Sequence, residues 1–103
     1  MSEEAFEHAT VTKQANVYYD GGVTSRALVG EDGTRRTLGI MHPGEYTFET
    51  DDEELIEVYT GELEVTVDGE TTTYESGDSF TVPDGTTFDV SVTELVDYCC
   101  TYR

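Results

Sequence analysis

The chain has 103 residues and sets 23 Asp and Glu against 5 Lys and Arg, a formal charge of −18. That length allows one domain, and the shortage of cations excludes nucleic acid and anionic membrane surfaces as partners. No apolar run approaches the ~18 residues that span a bilayer, and the start, Met1-Ser2-Glu3-Glu4, lacks the basic and apolar regions of a secretory signal, so a cytoplasmic protein is expected. Leu, Ile, Val and Phe total 22, which at this charge lies near the border of intrinsic disorder. Seven Tyr and four Phe pull the other way, because each buries a large area. Thr, Val and Ile supply 30 β-branched residues against only four Ala, which predicts an all-β domain.

Residues 1–16 are the least patterned and read as an N-terminal extension, with a helical turn or frayed tail over 1–8. The domain proper is expected over 17–103, where short strand-like runs alternate with turn signals. Gly21-Gly22 precedes a strand over 23–29, in which Arg26 is in phase with Thr24 and Leu28. Asp32-Gly33 is a hairpin signal. After it, Leu38 and Ile40 share one face, and after Pro43-Gly44, Tyr46 and Phe48 share another. An acidic stretch over 49–54 leads to a strand in which Leu63, Val65 and Val67 alternate with Glu64, Thr66 and Asp68. Asp68-Gly69 joins that strand to a second arm over 70–74. Phe80 and Val82, then Phe88, Val90 and Val92, then Tyr98, Cys100 and Tyr102 continue the alternation. In each run one face is apolar and the other polar, the pattern of a sheet wet on one side. About eight strands closed into a double-sheet jelly-roll barrel avoid exposed edges at this size. Cys99 and Cys100 point to opposite faces of a strand, so no disulfide joins them. Cys100 reads as a buried small hydrophobe and Cys99 as a free thiol.

Two spacings narrow the fold. From Gly77, through Pro83 and Gly85, to Phe88 and Val92, the chain resembles the second cupin motif, G-x5-P-x-G-x2-H-x3-N, with Phe88 in place of its His and Val92 in place of its Asn. Gly44, Glu54 and Gly61 match the Gly, Glu and final Gly of the first cupin motif, but its two His positions carry Thr50 and Asp52 and the gap to Glu54 is short. Iron, manganese or zinc would want several imidazole nitrogens with a carboxylate; of that set only Glu54 remains. His8 and His42 fall outside the pattern, and Cys99-Cys100 lacks zinc spacing. The expected cofactor is therefore none, and no residue is assigned to a metal.

Longer strings point further. Thr37-Leu38-Gly39-Ile40-Met41-His42-Pro43-Gly44-Glu45-Tyr46, then Glu57-Val58-Tyr59-Thr60-Gly61-Glu62-Leu63, then Gly77-Asp78-Ser79-Phe80, and the ending Asp97-Tyr98-Cys99-Cys100-Thr101-Tyr102 resemble the small, cupin-like pyrimidine/purine nucleoside phosphorylases. The resemblance runs from about Tyr18 to Arg103. It implies a metal-free barrel, paired as a homodimer, that splits purine and pyrimidine nucleosides with inorganic phosphate into free base and ribose 1-phosphate, a pentosyl transfer. A non-catalytic cupin that binds a sugar, a nucleoside or another small molecule is the alternative, and an acidic docking module for a basic protein is a third reading.

The implied reaction needs a cation for phosphate, support for an oxocarbenium-like ribosyl group, and a donor to the departing base. Cations are few: Lys13, Arg26, Arg35, Arg36 and Arg103. Arg26, Arg35 and Arg36 are the candidates for phosphate, although Arg35 and Arg36 lie on opposite faces of one strand and only one can enter a cavity. Glu54, at the cupin glutamate position, is the candidate catalytic carboxylate, with Glu45 weaker. Tyr46, Phe48, Phe88 and Tyr98 are candidates to stack a base, a contact tolerant of purine and pyrimidine alike. Thr50 is a candidate to offer its hydroxyl to the nucleoside. The excess of acid over Lys also resembles proteins of salt-in halophiles, in which molar salt screens surface repulsion; the fold is then expected to loosen in dilute salt.

Overall fold

The computed structural model describes residues 4–103. Nine strands follow in chain order: β1 (Thr10–Val11), β2 (Asn16–Tyr18), β3 (Val23–Val29), β4 (Arg35–Met41), β5 (Gly44–Glu49), β6 (Glu54–Val67), β7 (Glu70–Glu75), β8 (Ser79–Val82) and β9 (Thr87–Tyr102). A single 3-10 turn spans Tyr19–Gly21, and no α-helix occurs among the described residues. Of the helical turn expected over 1–8, residues 1–3 lie outside the described residues and 4–8 form no helix. Further along that segment, β1 pairs with the end of β3.

β6 and β9 are the spine, at 14 and 16 residues. Their antiparallel ladder runs from Glu54 opposite Tyr102 to Thr66 opposite Asp89, with register shifts between Val58 and Leu63. Gly61 sits in that irregular stretch at φ +100°, and a Cβ there would collide with the Leu95 carbonyl. A residue without a side chain lets the two strands stay close while they bend. On one side of the bend, β3 pairs with β4, β4 with the C-terminal half of β9, and β8 with the start of β6. On the other, β5 pairs with the N-terminal half of β9 and β7 with the end of β6. One continuous ladder thus folds over into two facing halves, the double-sheet barrel that the alternation predicts.

The hairpin signals hold. Asp68 (φ 51°) and Gly69 (φ 80°) are both left-handed between Val67 and Glu70, the geometry that an Asp-Gly pair adopts at least cost. At Asp32-Gly33 the Thr34 amide donates to Asp32 Oδ1 at 3.0 Å. Between the halves, Val23, Val58, Leu63, Val82 and Val96 are fully buried, each worth about 1.5–3 kcal/mol of transfer free energy.

One phase differs from the alternation read in the sequence. Leu38 and Ile40 do share a face of β4, but it is the outer one, and Leu38 is 37% exposed. Thr37 and Met41 are buried instead. Gly39 explains the choice: a Cβ there would overlap the Tyr98 hydroxyl and the Thr24 carbonyl, so β4 turns its glycine toward the Tyr98 ring and its neighbours follow by parity.

Candidate functional site

A cavity of about 420 Å³ opens between the two halves, within the size range of small-molecule sites. Register builds its wall in rows. Tyr102 lies opposite Glu54; one step deeper, Cys100 lies between Thr37 of β4 and Ile56 of β6; below that, Tyr98 lies over Gly39. Phe48, Leu63, Phe80 and Phe88 supply apolar lining from the other strands. The mouth is charged: Arg35 at the start of β4, Glu49, Asp51 and Asp52 at and after the end of β5, and Glu54 opening β6.

The polar groups are wired across strands. The Cys100 thiol donates to Glu54 Oε1 at 3.3 Å. Thr37 Oγ1 and the Tyr102 hydroxyl are 3.3 Å apart. The Arg35 guanidinium lies 5.7 Å from the centre of the Tyr102 ring and 3.2 Å from Asp52 Oδ2. Burial raises the Glu54 carboxyl above the ordinary carboxylate range; the Cys100 hydrogen bond opposes that shift, and the charges of Asp52 and Asp51 add to it. Burial likewise pushes up Cys100, Tyr98 and Tyr102, so all three stay protonated donors at neutral pH.

The candidates named from sequence now separate. Glu54, Arg35, Phe48, Phe88 and Tyr98 line one cavity. Arg36 points to the outer face, with its guanidinium 4.7 Å from the Phe6 ring and Nε donating to Thr101 Oγ1 at 3.3 Å. Arg26 is exposed on that side and donates to the Lys13 carbonyl at 3.2 Å. Both are set apart by strand parity. Arg103 pairs with Glu53 at 3.4 Å. Tyr46 is a core residue away from this cavity, its hydroxyl donating to the His42 carbonyl at 2.7 Å, and its strand neighbour Glu45 also lies off the cavity. Thr50 is buried with its hydroxyl donating to the Pro83 carbonyl at 2.7 Å and accepting from the Thr86 amide at 2.9 Å; it ties two loops together and has no lone group to give a ligand. Reading the sequence missed Thr37, Asp52 as a lining residue, Cys100 as a polar partner, and Tyr102. Parity was the signal for three of them, since Thr37 shares a face with Arg35, and Cys100 and Tyr102 share one with Tyr98.

Cupin barrels commonly hold a divalent metal, and the donor set here does not fit one. The positions that would carry imidazoles hold Thr50, Asp52 and Phe88, no histidine lines the cavity among the described residues, and no group of three or more His, Cys, Asp or Glu side chains there is arranged around a common point.

The family model described as pyrimidine/purine nucleoside phosphorylase matches residues 13–102. The chain belongs to that family. A pyrimidine/purine nucleoside phosphorylase of Clostridioides difficile (strain 630) is 49% identical, with 99% of this chain and 97% of the relative covered. A crystal structure from Acinetobacter sp. ADP1, described as a protein of unknown function, superposes with a TM-score of 0.92 at 38% identity over 96% of this chain and 98% of that one. The cupin domain of Schizosaccharomyces pombe Cnp3 superposes with a TM-score of 0.66 at 16% identity over 87% of this chain and 69% of that one, a likeness of fold alone. The barrel is therefore a cupin-like jelly roll, and within this phosphorylase family the cavity that joins Arg35, Glu54 and Tyr98 is the candidate active site.

Proposed function

We propose that the protein is a cytoplasmic pentosyltransferase that splits purine and pyrimidine nucleosides with inorganic phosphate, releasing the free base and ribose 1-phosphate. The observation that carries this reading is the joining, in one cavity, of a guanidinium and a carboxyl raised by burial, above an aromatic floor. Arg35 holds phosphate, for which a guanidinium fork is well shaped. Phe88 and Tyr98, with Phe48, offer faces to the base without reading its edges. A phosphate oxygen forms the bond to the anomeric carbon as the N-glycosidic bond breaks, and the bonding pair leaves with the base nitrogen. Glu54 supplies a proton to that leaving group: Cys100 holds Oε1, so Oε2 carries the proton. The carboxylate left behind then faces the positive charge developing on the ribosyl ring.

The test is to incubate purified protein with inosine and with uridine, each with and without phosphate. Base release that requires phosphate and survives a chelator is expected; release of no base from any nucleoside tried would refute the reading in favour of a binding module. The exposed outer-face apolar residues Leu38 and Leu95 support a homodimer, expected as twice the chain mass by light scattering. The acidic surface supports adaptation to molar salt, expected as a melting temperature that climbs between 0.1 and 3 M KCl.

A further inference from the structure

The charge of the cavity runs against the anion that the proposed reaction needs. Four acidic side chains line it, the carboxylates of Glu49, Asp51 and Asp52 and the carboxyl of Glu54, against one guanidinium, Arg35. That guanidinium is already engaged, with Asp52 Oδ2 at 3.2 Å. The pair is open to solvent, with 62% of the Arg35 side chain and 44% of the Asp52 side chain exposed, so it is weak enough for a better anion to displace. Asp52 lies between β5 and β6, outside both strands, and its side chain can leave Arg35 without breaking a ladder. Two further hydroxyl donors line the same cavity: Tyr102, whose ring centre lies 5.7 Å from the guanidinium, and Thr37, two residues along β4 from Arg35; the two hydroxyls are 3.3 Å apart.

Resting on the reading of this cavity as a phosphate-using site, we propose that Asp52 is a built-in competitor for phosphate. Its carboxylate occupies the fork of Arg35 until phosphate takes its place against Arg35, Tyr102 and Thr37. Asp52 is thus the residue that sets phosphate affinity, and it ties that affinity to salt. A phosphate dianion approaching three mouth carboxylates is repelled, and the screening length falls from about 10 Å at 0.1 M to about 3 Å at 1 M ionic strength. Salt therefore loosens the Asp52–Arg35 pair and weakens the repulsion together, so phosphate binds more tightly as KCl rises, opposite to the usual behaviour of an anion at a cationic site.

The experiment is calorimetric titration of inorganic phosphate, without nucleoside, into wild type, Asp52→Asn and the Arg35→Ala/Asp52→Asn double variant at 0.1 and 1 M KCl, followed by phosphate KM wherever turnover is seen. Asp52→Asn is expected to lower the phosphate Kd about five-fold, the worth of one exposed ion pair. Its phosphate KM falls in parallel with nucleoside KM unchanged, and its response to salt is flatter than that of wild type. The double variant loses the gain. Asp52→Ser serves as a second neutral variant should the asparagine form melt early. Phosphate binding by Asp52→Asn that is unchanged, weaker or absent, or a gain that persists without Arg35, overturns the proposal. Because the titration contains no nucleoside, phosphate binding without turnover would remove the phosphorylase reading and still decide the part played by Asp52.

Discussion

Arg35 and Arg36 are chain neighbours with opposite surroundings. Arg35 enters the cavity mouth against Asp52 and Tyr102, whereas Arg36 lies outside, against Phe6 and Thr101. Cys100 and Cys99 repeat the contrast one strand over. Cys100 donates to Glu54 inside; Cys99 is equally buried, but its neighbours are Tyr59 and Glu57 on the outer face. Both thiols are free, and burial raises both. Burial and composition therefore do not distinguish the faces of the β4–β9 ribbon. What distinguishes them is where the cross-strand contacts face: Thr37 to Tyr102 and Cys100 to Glu54 line the cavity, whereas Arg36 to Thr101 lies outside it. A slip of one residue in register would carry this whole set out of the barrel.

The strongest way to break the comparison is Glu54→Gln. Removing a positioned general acid costs about 10²–10⁴-fold in kcat, and that loss is expected across nucleosides. Stability should move the other way. Burial raises the Glu54 pKa in the folded state, so its protonated form is the one the fold prefers. The stability it lends is complete below the ordinary carboxylate pKa and is lost as pH rises through the raised value. Glutamine stays neutral throughout. Melting curves should therefore nearly coincide at pH 4, with the variant more stable than wild type at pH 8. Equal melting temperatures at pH 8, or a kcat within ten-fold of wild type, would remove Glu54 from the role given to it.

Next in size is the pair Arg35→Ala and Arg36→Ala. A hydrogen bond to a charged group contributes about 1.5–3 kcal/mol, so Arg35→Ala should raise phosphate KM about 10–100-fold and leave nucleoside KM nearly untouched. Arg36→Ala should leave both constants alone and lose its contacts with Phe6 and Thr101, each worth about 0.5–1.5 kcal/mol of stability. Equal effects of the two variants on phosphate KM would erase the distinction between the faces.

The same parity explains how much of the site was legible in the sequence. Alternation located the strands from β3 onward, though not β1 in the segment read as an extension; it put Tyr98, Cys100 and Tyr102 on one face, and it showed that Arg35 and Arg36 must diverge. It did not say which of the two enters, because that depends on Gly39 making room for the Tyr98 ring, a contact between strands about sixty residues apart in the chain. Leu38 and Ile40 misled for the same reason: two apolar residues in phase look like core until the glycine between them is seen to face inward. Thr50 stands where the cupin pattern has a ligand, but its hydroxyl is consumed by Pro83 and Thr86, a loop contact that no local pattern announces. Glu54 was found because it kept its motif position, and Asp52 was overlooked as a lining residue because its role depends on a partner 17 positions away.

The finest test of the comparison uses the two cysteines. The Cys100 hydrogen bond lowers the Glu54 pKa against the stronger upward push of burial. Cys100→Ala removes that restraint, so the pKa of Glu54 rises further. The alkaline limb of the kcat profile, where the general acid loses its proton, should move to higher pH. Cys100→Ser keeps a donor at the same place and should restore the limb toward wild type. The lost bond itself is worth about 0.5–1.5 kcal/mol, so kcat at the optimum should fall no more than about ten-fold in the alanine variant. Cys99→Ala is as deep a truncation on the outer face and should leave the limb where it is, although melting temperature falls in both alanine variants. Thermal stability cannot separate the two thiols, and the pH profile can. A limb that stays put in Cys100→Ala, or that moves as far in Cys99→Ala, would show that Glu54 is tuned by burial alone and that the cross-strand contact is only packing.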